Sequence, residues 1–218
     1  MARDLAIVLN NGSLNSAVAT ALAAQKYRTV MVYVEASEKT PARWRWAFEQ
    51  QTAFFKPYRD VTVAMPFLGG LKPAVAAWAA LADRRQGGMI APQLLALLPI
   101  MAVGASYAAQ YEAAAVYCGM RVGGGADDLA RATEYFQILT ELLQMPCGQI
   151  DTEFVTPLLE LEPWQVVDVG CQVGAPLEKG WSCLEDVPDP CWSCAGCRAR
   201  EAAFQQAARP DPLRPVRR

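Results

Sequence analysis

Leu5-Ala-Ile-Val-Leu9 runs directly into Asn10-Asn-Gly-Ser-Leu-Asn-Ser16, and an alanine-rich stretch from Ser16 to Lys26 follows. A short, unbroken apolar run bounded by a turn is the pattern of a strand buried on both faces, as in a parallel sheet. The Ser and Asn residues that precede the alanine-rich stretch can cap the free N–H groups of a helix. A strand, a turn of small residues and a helix together form an anion cradle. The backbone can approach a phosphate closely there, and the helix N-terminus adds partial positive charge. Asn11, Gly12, Ser13, Asn15 and Ser16 are the candidate nucleotide-binding residues. The same layout also joins α/β units that hold no ligand, so the turn alone leaves both readings open.

Working outward, Thr29 to Val34 reads as a second strand, which completes a βαβ unit with a right-handed crossover. Pro41 to Phe55 reads as a helix whose Trp44, Phe48, Gln51 and Phe55 recur at three- and four-residue spacing and face the core. Val61–Met65 is a third strand, Pro66–Gly70 a loop and Pro73–Ala82 a short helix. After Gly87-Gly88 a long alanine-rich helix reaches about Gln110, followed by a fourth strand at Ala113–Cys118 and a glycine-rich loop at Gly119–Asp128. Leu129–Met145 is a helix, Phe154–Pro157 a last strand and Glu162–Cys171 a helix opened by Pro163. Alternation of strand and helix predicts a doubly wound α/β domain with a parallel sheet. In such a sheet ligands bind beyond the carboxyl ends of the strands. The turn after the first strand and the loop after the fourth should therefore border one crevice.

Near the other end, Cys183, Cys191, Cys194 and Cys197 fall within fifteen residues, separated by seven, two and two residues. Two-residue gaps let two sulfurs face one ion, which is the spacing of a tetrahedral four-thiolate zinc site. The sequence contains no His, so no imidazole can join the ligands. A saturated site of this kind is structural, since no position is left open for a substrate. A disulfide framework and an iron–sulfur cluster are the alternatives. The odd cysteine count and the absence of a signal-peptide pattern weigh against disulfides, and Cys118, Cys147 and Cys171 are expected as reduced core thiols.

The chain has 218 residues, 53% hydrophobic and 19% charged, with a net charge of −2. That fits one folded domain over 1–218: an α/β sheet over 1–175, a zinc module over 176–208 and a loose basic tail over 209–218. The apolar run from Met89 to Ala109 is interrupted by Pro92, Pro99 and Gly104, which reads as a buried helix and not a membrane span. A cytoplasmic setting is expected, with no membrane partner. Nucleic-acid binding is not expected from this charge, and the four arginines of the tail read as solvated.

The run Trp181-Ser182-Cys183…Cys191-x-x-Cys194-x-x-Cys197-Arg198-x-Arg200, with Ala203-Phe204 and Asp211-Pro212 after it, resembles the zinc module of the 7-cyano-7-deazaguanine synthases, also called queuosine biosynthesis protein C or ExsB. The resemblance reaches upstream through Thr156-Pro157-Leu158, and Leu5–Ser16 stands where that family has its ATP pyrophosphatase loop. It implies an adenine-nucleotide α-hydrolase-like sheet. The implied chemistry is ATP-dependent activation of a carboxylate on a 7-deazaguanine, C–N bond formation with ammonia, and a second activation to the nitrile. ATP, Mg²⁺ and Zn²⁺ are the implied cofactors, and a homodimer is the implied assembly.

The departures fall where the chemistry would be. The family's Ser-Gly-Gly-x-Asp-Ser becomes Asn11-Gly12-Ser13-Leu14-Asn15-Ser16, which replaces the aspartate with neutral Asn15 and puts a side chain where a left-handed glycine is expected. The family's acidic-aromatic-Gly-Gln-Arg-His segment has no counterpart after Val34, and its Tyr-x-Pro-x-Arg-Asn segment becomes Ile90-Ala-Pro92-Gln93-Leu94-Leu95. Its substrate loop becomes Arg121-Val-Gly-Gly-Gly-Ala-Asp127-Asp128, of which Arg121, Asp127 and Asp128 are the substrate-loop candidates. Three expectations follow: a synthase of the family type, a ligase joining a deazaguanine or other acid to a protein or amine, or a non-catalytic zinc-stabilised binding or assembly subunit.

Overall fold

A computed structural model describes residues 4–36, 42–70, 90–123, 125–148 and 151–214. The helix expected at Pro73–Ala82 lies outside the described residues. Five strands, β1 (Leu5–Leu9), β2 (Arg28–Glu35), β3 (Arg59–Ala64), β4 (Ala115–Cys118) and β5 (Glu153–Val155), form one sheet in the order β3-β2-β1-β4-β5. Every pairing is parallel, and Ile7 stands beside Val30 on one side and Val116 on the other. The order reverses between β1 and β4, which is the place where a doubly wound sheet opens a crevice.

Helices cover both faces, which is why the central strands are apolar throughout. On one face Ile7, Leu9, Val30, Val32 and Val116 pack under α4 (Ala91–Gln110) and α5 (Ala126–Gln144). On the other, Ala6 and Val8 meet Ala23 of α1 (Leu14–Ala24), and Met31 and Tyr33 meet Phe48 of α2 (Ala42–Phe55). Leu14 and Val18 of α1 also pack with Val166 and Val167 of α6 (Pro163–Gln172) and with Ala203 and Phe204 of α7 (Ala195–Gln206). The segment Phe67–Gly70, expected as a loop, is a single helical turn, α3.

Two expectations about burial change. Helix α4 is not a buried helix: Leu94, Met101 and Ala108 are buried, whereas Leu95 and Leu98 are 39% and 44% exposed. Among the described residues it alone is long and apolar enough to cross a membrane by length and composition, and one of its faces packs on the sheet as in a core helix. Of the three outlying cysteines only Cys118 is a core thiol, since Cys147 and Cys171 are exposed. Cys171 stands in the last turn of α6 and Cys147 just beyond α5, positions that an apolar neighbour sequence does not distinguish from the core.

Residues 209–214, expected as part of a loose tail, are anchored. Asp211 accepts two hydrogen bonds of 2.8 Å from Arg200, an ion pair with side chains 3% and 5% exposed. Arg200 also donates to the carbonyls of Gly180 and Leu177, so a single guanidinium ties α7, the tail and the turn at Leu177–Lys179 together.

Candidate metal centre and crevice

The sulfurs of Cys183, Cys191, Cys194 and Cys197 lie within 4.8 Å of one another. The Cys191–Cys197 and Cys194–Cys183 separations are 3.9 and 4.0 Å. A tetrahedral ion with bonds of about 2.3 Å would put its sulfurs about 3.8 Å apart, so the group has the size for one metal ion. The second layer suits thiolates. The amide of Cys194 and the hydroxyl of Ser193 donate to the Cys191 sulfur, and the amides of Leu184 and Cys197 donate to the Cys194 sulfur. The Ser193 hydroxyl, followed by the amides of Ser193 and Cys194, lowers the Cys191 thiol to about 6, whereas burial pushes Cys197 up to about 12. Cys194 is also the N-cap of α7, its sulfur accepting from the Cys197 amide. The fit of Ser182 against the start of α7 requires Gly196, where an added Cβ would come 2.0 Å from the Ser182 carbonyl oxygen.

From this module the chain returns to the loop after β1. The Trp181 amide donates to the Gly12 carbonyl at 2.9 Å, and Ser13 and Trp181 form a parallel bridge. Gly12 is held at φ +80°, and a Cβ there would fall 2.2 Å from the Trp44 carbonyl oxygen, so only glycine fits. Ser13, where a left-handed backbone was expected, is extended at φ −73° and serves as the N-cap of α1. The left-handed residue is Gly12, and the substitution at 13 therefore costs no backbone strain.

The loop is closed by its own side chains. The Asn10 carboxamide oxygen accepts from the Gly12 amide at 2.8 Å, and the Asn11 carboxamide oxygen accepts from the Ser13 amide at 3.1 Å and the Ser16 hydroxyl at 2.8 Å. Ser13 Oγ accepts from the Ser16 amide, and the Asn11 amide donates to Ser16 Oγ. Beneath it Gln51, fully buried on α2, accepts from Asn10 Nδ2 and donates to the carbonyls of Gly12, Ser13 and Lys179. Asn10, Thr20 and Gln51 were not singled out in the sequence as site residues. The available signal was a glutamine on the apolar stripe of Trp44, Phe48 and Phe55.

Asn11, Ser13, Asn15, Ser16 and Arg121 line one cavity of about 270 Å³ whose apolar wall includes Leu9, Val32, Ile100, Met101 and Cys118. It opens between the loops after β1 and β4, as the topology requires. A second cavity, of about 310 Å³, shares Ser13, Asn15 and Arg121 and continues toward Trp44, Trp181 and Ser182. Arg121 directs Nη1 at the carbonyls of Val122 and Leu161. Asp127 and Asp128 line neither cavity: the loop ends at Gly125, the N-cap of α5, and the two carboxylates lie in the first helical turn, where they complement the helix dipole.

The family model for "Queuosine biosynthesis protein QueC" matches residues 97–208, more than half of the chain. The chain belongs to the QueC family. This QueC-family protein is 24% identical over 217 residues to the 7-cyano-7-deazaguanine synthase of Koribacter versatilis, covering 95% of the chain and 92% of that protein. It is 25% identical over 217 residues to that of Chloroherpeton thalassium, covering 95% of each. Among solved structures it is similar to NMN synthetase from Francisella tularensis, with a TM-score of 0.49 and 16% identity over 95% of this chain and 78% of the other.

Proposed function

We propose that this QueC-family chain is a zinc-stabilised small-molecule-binding protein, descended from enzymes that activate a carboxylate on a 7-deazaguanine, in which ATP-dependent activation no longer runs. What carries this reading is the loop after β1, whose amides at Asn11, Gly12, Ser13 and Ser16 are all engaged by its own side chains. A pyrophosphate leaving group needs such donors free. Mg²⁺ needs oxygen anions, and Asn15 offers a neutral carboxamide where the family motif has an aspartate. Pyrophosphate exchange with ATP, Mg²⁺ and a panel of acids that includes 7-carboxy-7-deazaguanine should stay at the blank rate, and exchange above it would overturn the reading.

The sulfur spacing supports Zn²⁺, since each thiolate of a four-iron cluster binds a different iron and would stand farther from the others. Zinc would be held by all four cysteines, fixing Ser182 and Trp181 and hence the loop. Elemental analysis should find one zinc per chain.

One observation favours a second reading, a ligase joining an acid to a protein or amine. The two cavities share Ser13, Asn15 and Arg121, so an activated acid and an acceptor could meet there. That reading predicts an ATP-dependent adduct visible by mass spectrometry. Either reading suits a cytoplasmic protein.

A further inference from the structure

We infer that the crevice takes an uncharged nucleoside or free base, and that Asn11 sets this preference by placing its own carboxamide oxygen where a phosphoryl oxygen would sit. The inference rests on the reading that the loop no longer activates ATP and names the ligand class of the same crevice.

A phosphoryl oxygen at a strand–turn–helix loop is recognised by converging backbone N–H groups and a hydroxyl. Here that convergence exists, and its amides at Asn11, Gly12, Ser13 and Ser16 are filled. Asn11 Oδ1 receives the Ser13 amide and the Ser16 hydroxyl, which is the amide-plus-hydroxyl pair an anion would take. The neighbouring donors are also engaged: Asn10 Oδ1 receives the Gly12 amide, and Ser13 Oγ receives the Ser16 amide. Asn10 cannot withdraw, because it is buried and its Nδ2 is fixed by Thr20 and Gln51. Asn11 is exposed at the mouth, so it is the residue whose removal reopens the seat.

What remains beside the filled seat suits a neutral ring. The cavity of about 270 Å³ is walled by Leu9, Val32, Ile100 and Met101, surfaces that gain from covering a flat apolar face and give nothing to a triphosphate. At its edge the carboxamide of Asn15 and the Arg121 donors not turned toward Val122 and Leu161 can meet ring nitrogens or carbonyls.

Titration calorimetry on the full metal-loaded chain tests this with adenosine, guanosine, AMP and Mg²⁺-ATP as the probes. Wild-type protein should bind at least one nucleoside about tenfold or more tightly than ATP. Asn11→Ser, which restores the family's residue, and Asn11→Gly, which empties the seat without offering a hydroxyl, should raise ATP affinity about tenfold and so shift the ATP-to-nucleoside affinity ratio toward ATP. Unchanged melting curves would show that both variants fold. ATP binding as tight as nucleoside binding in wild type, no nucleoside binding up to about 10 mM, or no gain for ATP in either variant would overturn the inference. Tight ATP binding without pyrophosphate release would sink this inference alone and leave the proposed function standing. Pyrophosphate exchange at saturating ATP would sink the proposed function and this inference with it.

Discussion

At the scale of single residues, the most consequential position is Gly12, which combines a left-handed backbone with a 2.2 Å approach to the Trp44 carbonyl. Gly12→Ala should destabilise the protein by about 2 kcal/mol or more, read as a shifted denaturant midpoint. Asp211→Ala leaves the Arg200 guanidinium buried without its carboxylate and should cost roughly 3–5 kcal/mol. Cys118 gives a pH signature. Burial pushes its thiol up to about 11, whereas an unfolded thiol ionises near about 8.5, so the folded chain keeps a proton that the unfolded chain releases. Stability should fall as pH rises across that window, and Cys118→Ala should flatten the fall in urea melts compared at pH values on either side. The clustering of the four cysteines and the departure at Asn15 were legible in the sequence, because spacing and residue type alone carry them, whereas the left-handed backbone expected at Ser13 stands at Gly12. The roles of Asn10, Gln51 and Arg200 were not, because each depends on partners distant in the chain, as with the Gln51 bond to Lys179.

At the scale of elements, the central strands β1, β2 and β4 were legible because each is a largely apolar run, and the parallel order followed from alternation with helices. The start of α1 was placed two residues late, since Ser13 and not a later residue supplies the cap. Helix α7 went unread because its opening turn is Cys194-Ala-Gly-Cys197, where ligand spacing masks helix spacing. That overlap makes a clean experiment possible. Serine is itself a good N-cap, so Cys194→Ser keeps the cap of α7 while removing one of the four sulfurs proposed to hold zinc. It should nevertheless destabilise the C-terminal third by several kcal/mol, seen as faster amide exchange in α7 and loss of bound zinc. Retention of full zinc and unchanged exchange would mean that three sulfurs suffice. A strong chelator added to wild-type protein should act in the same direction, as a denaturant of the module.

At the scale of the whole molecule, α4 and α5 carry exposed aliphatic side chains: Leu95, Leu98, Ile138 and Leu142 are each more than a third exposed. The homodimer expected of the family remains a proposal, and this face is the surface it would cover. Light scattering should then give twice the 23.7 kDa chain mass, and Leu98→Asp should return the monomer. The stitching of Gly12 to Trp181, and of Gln51 to Lys179, carries a consequence for biosynthesis. Residues 10–16 are synthesised well before two of their bonding partners, Lys179 and Trp181. Strand β1 can pair with β2 early, but β4 begins only at Ala115, well after β2 ends at Glu35, and the clamp on the loop comes later still. The loop therefore gains this clamp only after the sheet that carries it has been made, and a chain cut before Trp181 would keep the loop's own hydrogen bonds while losing the tie to the cysteine module.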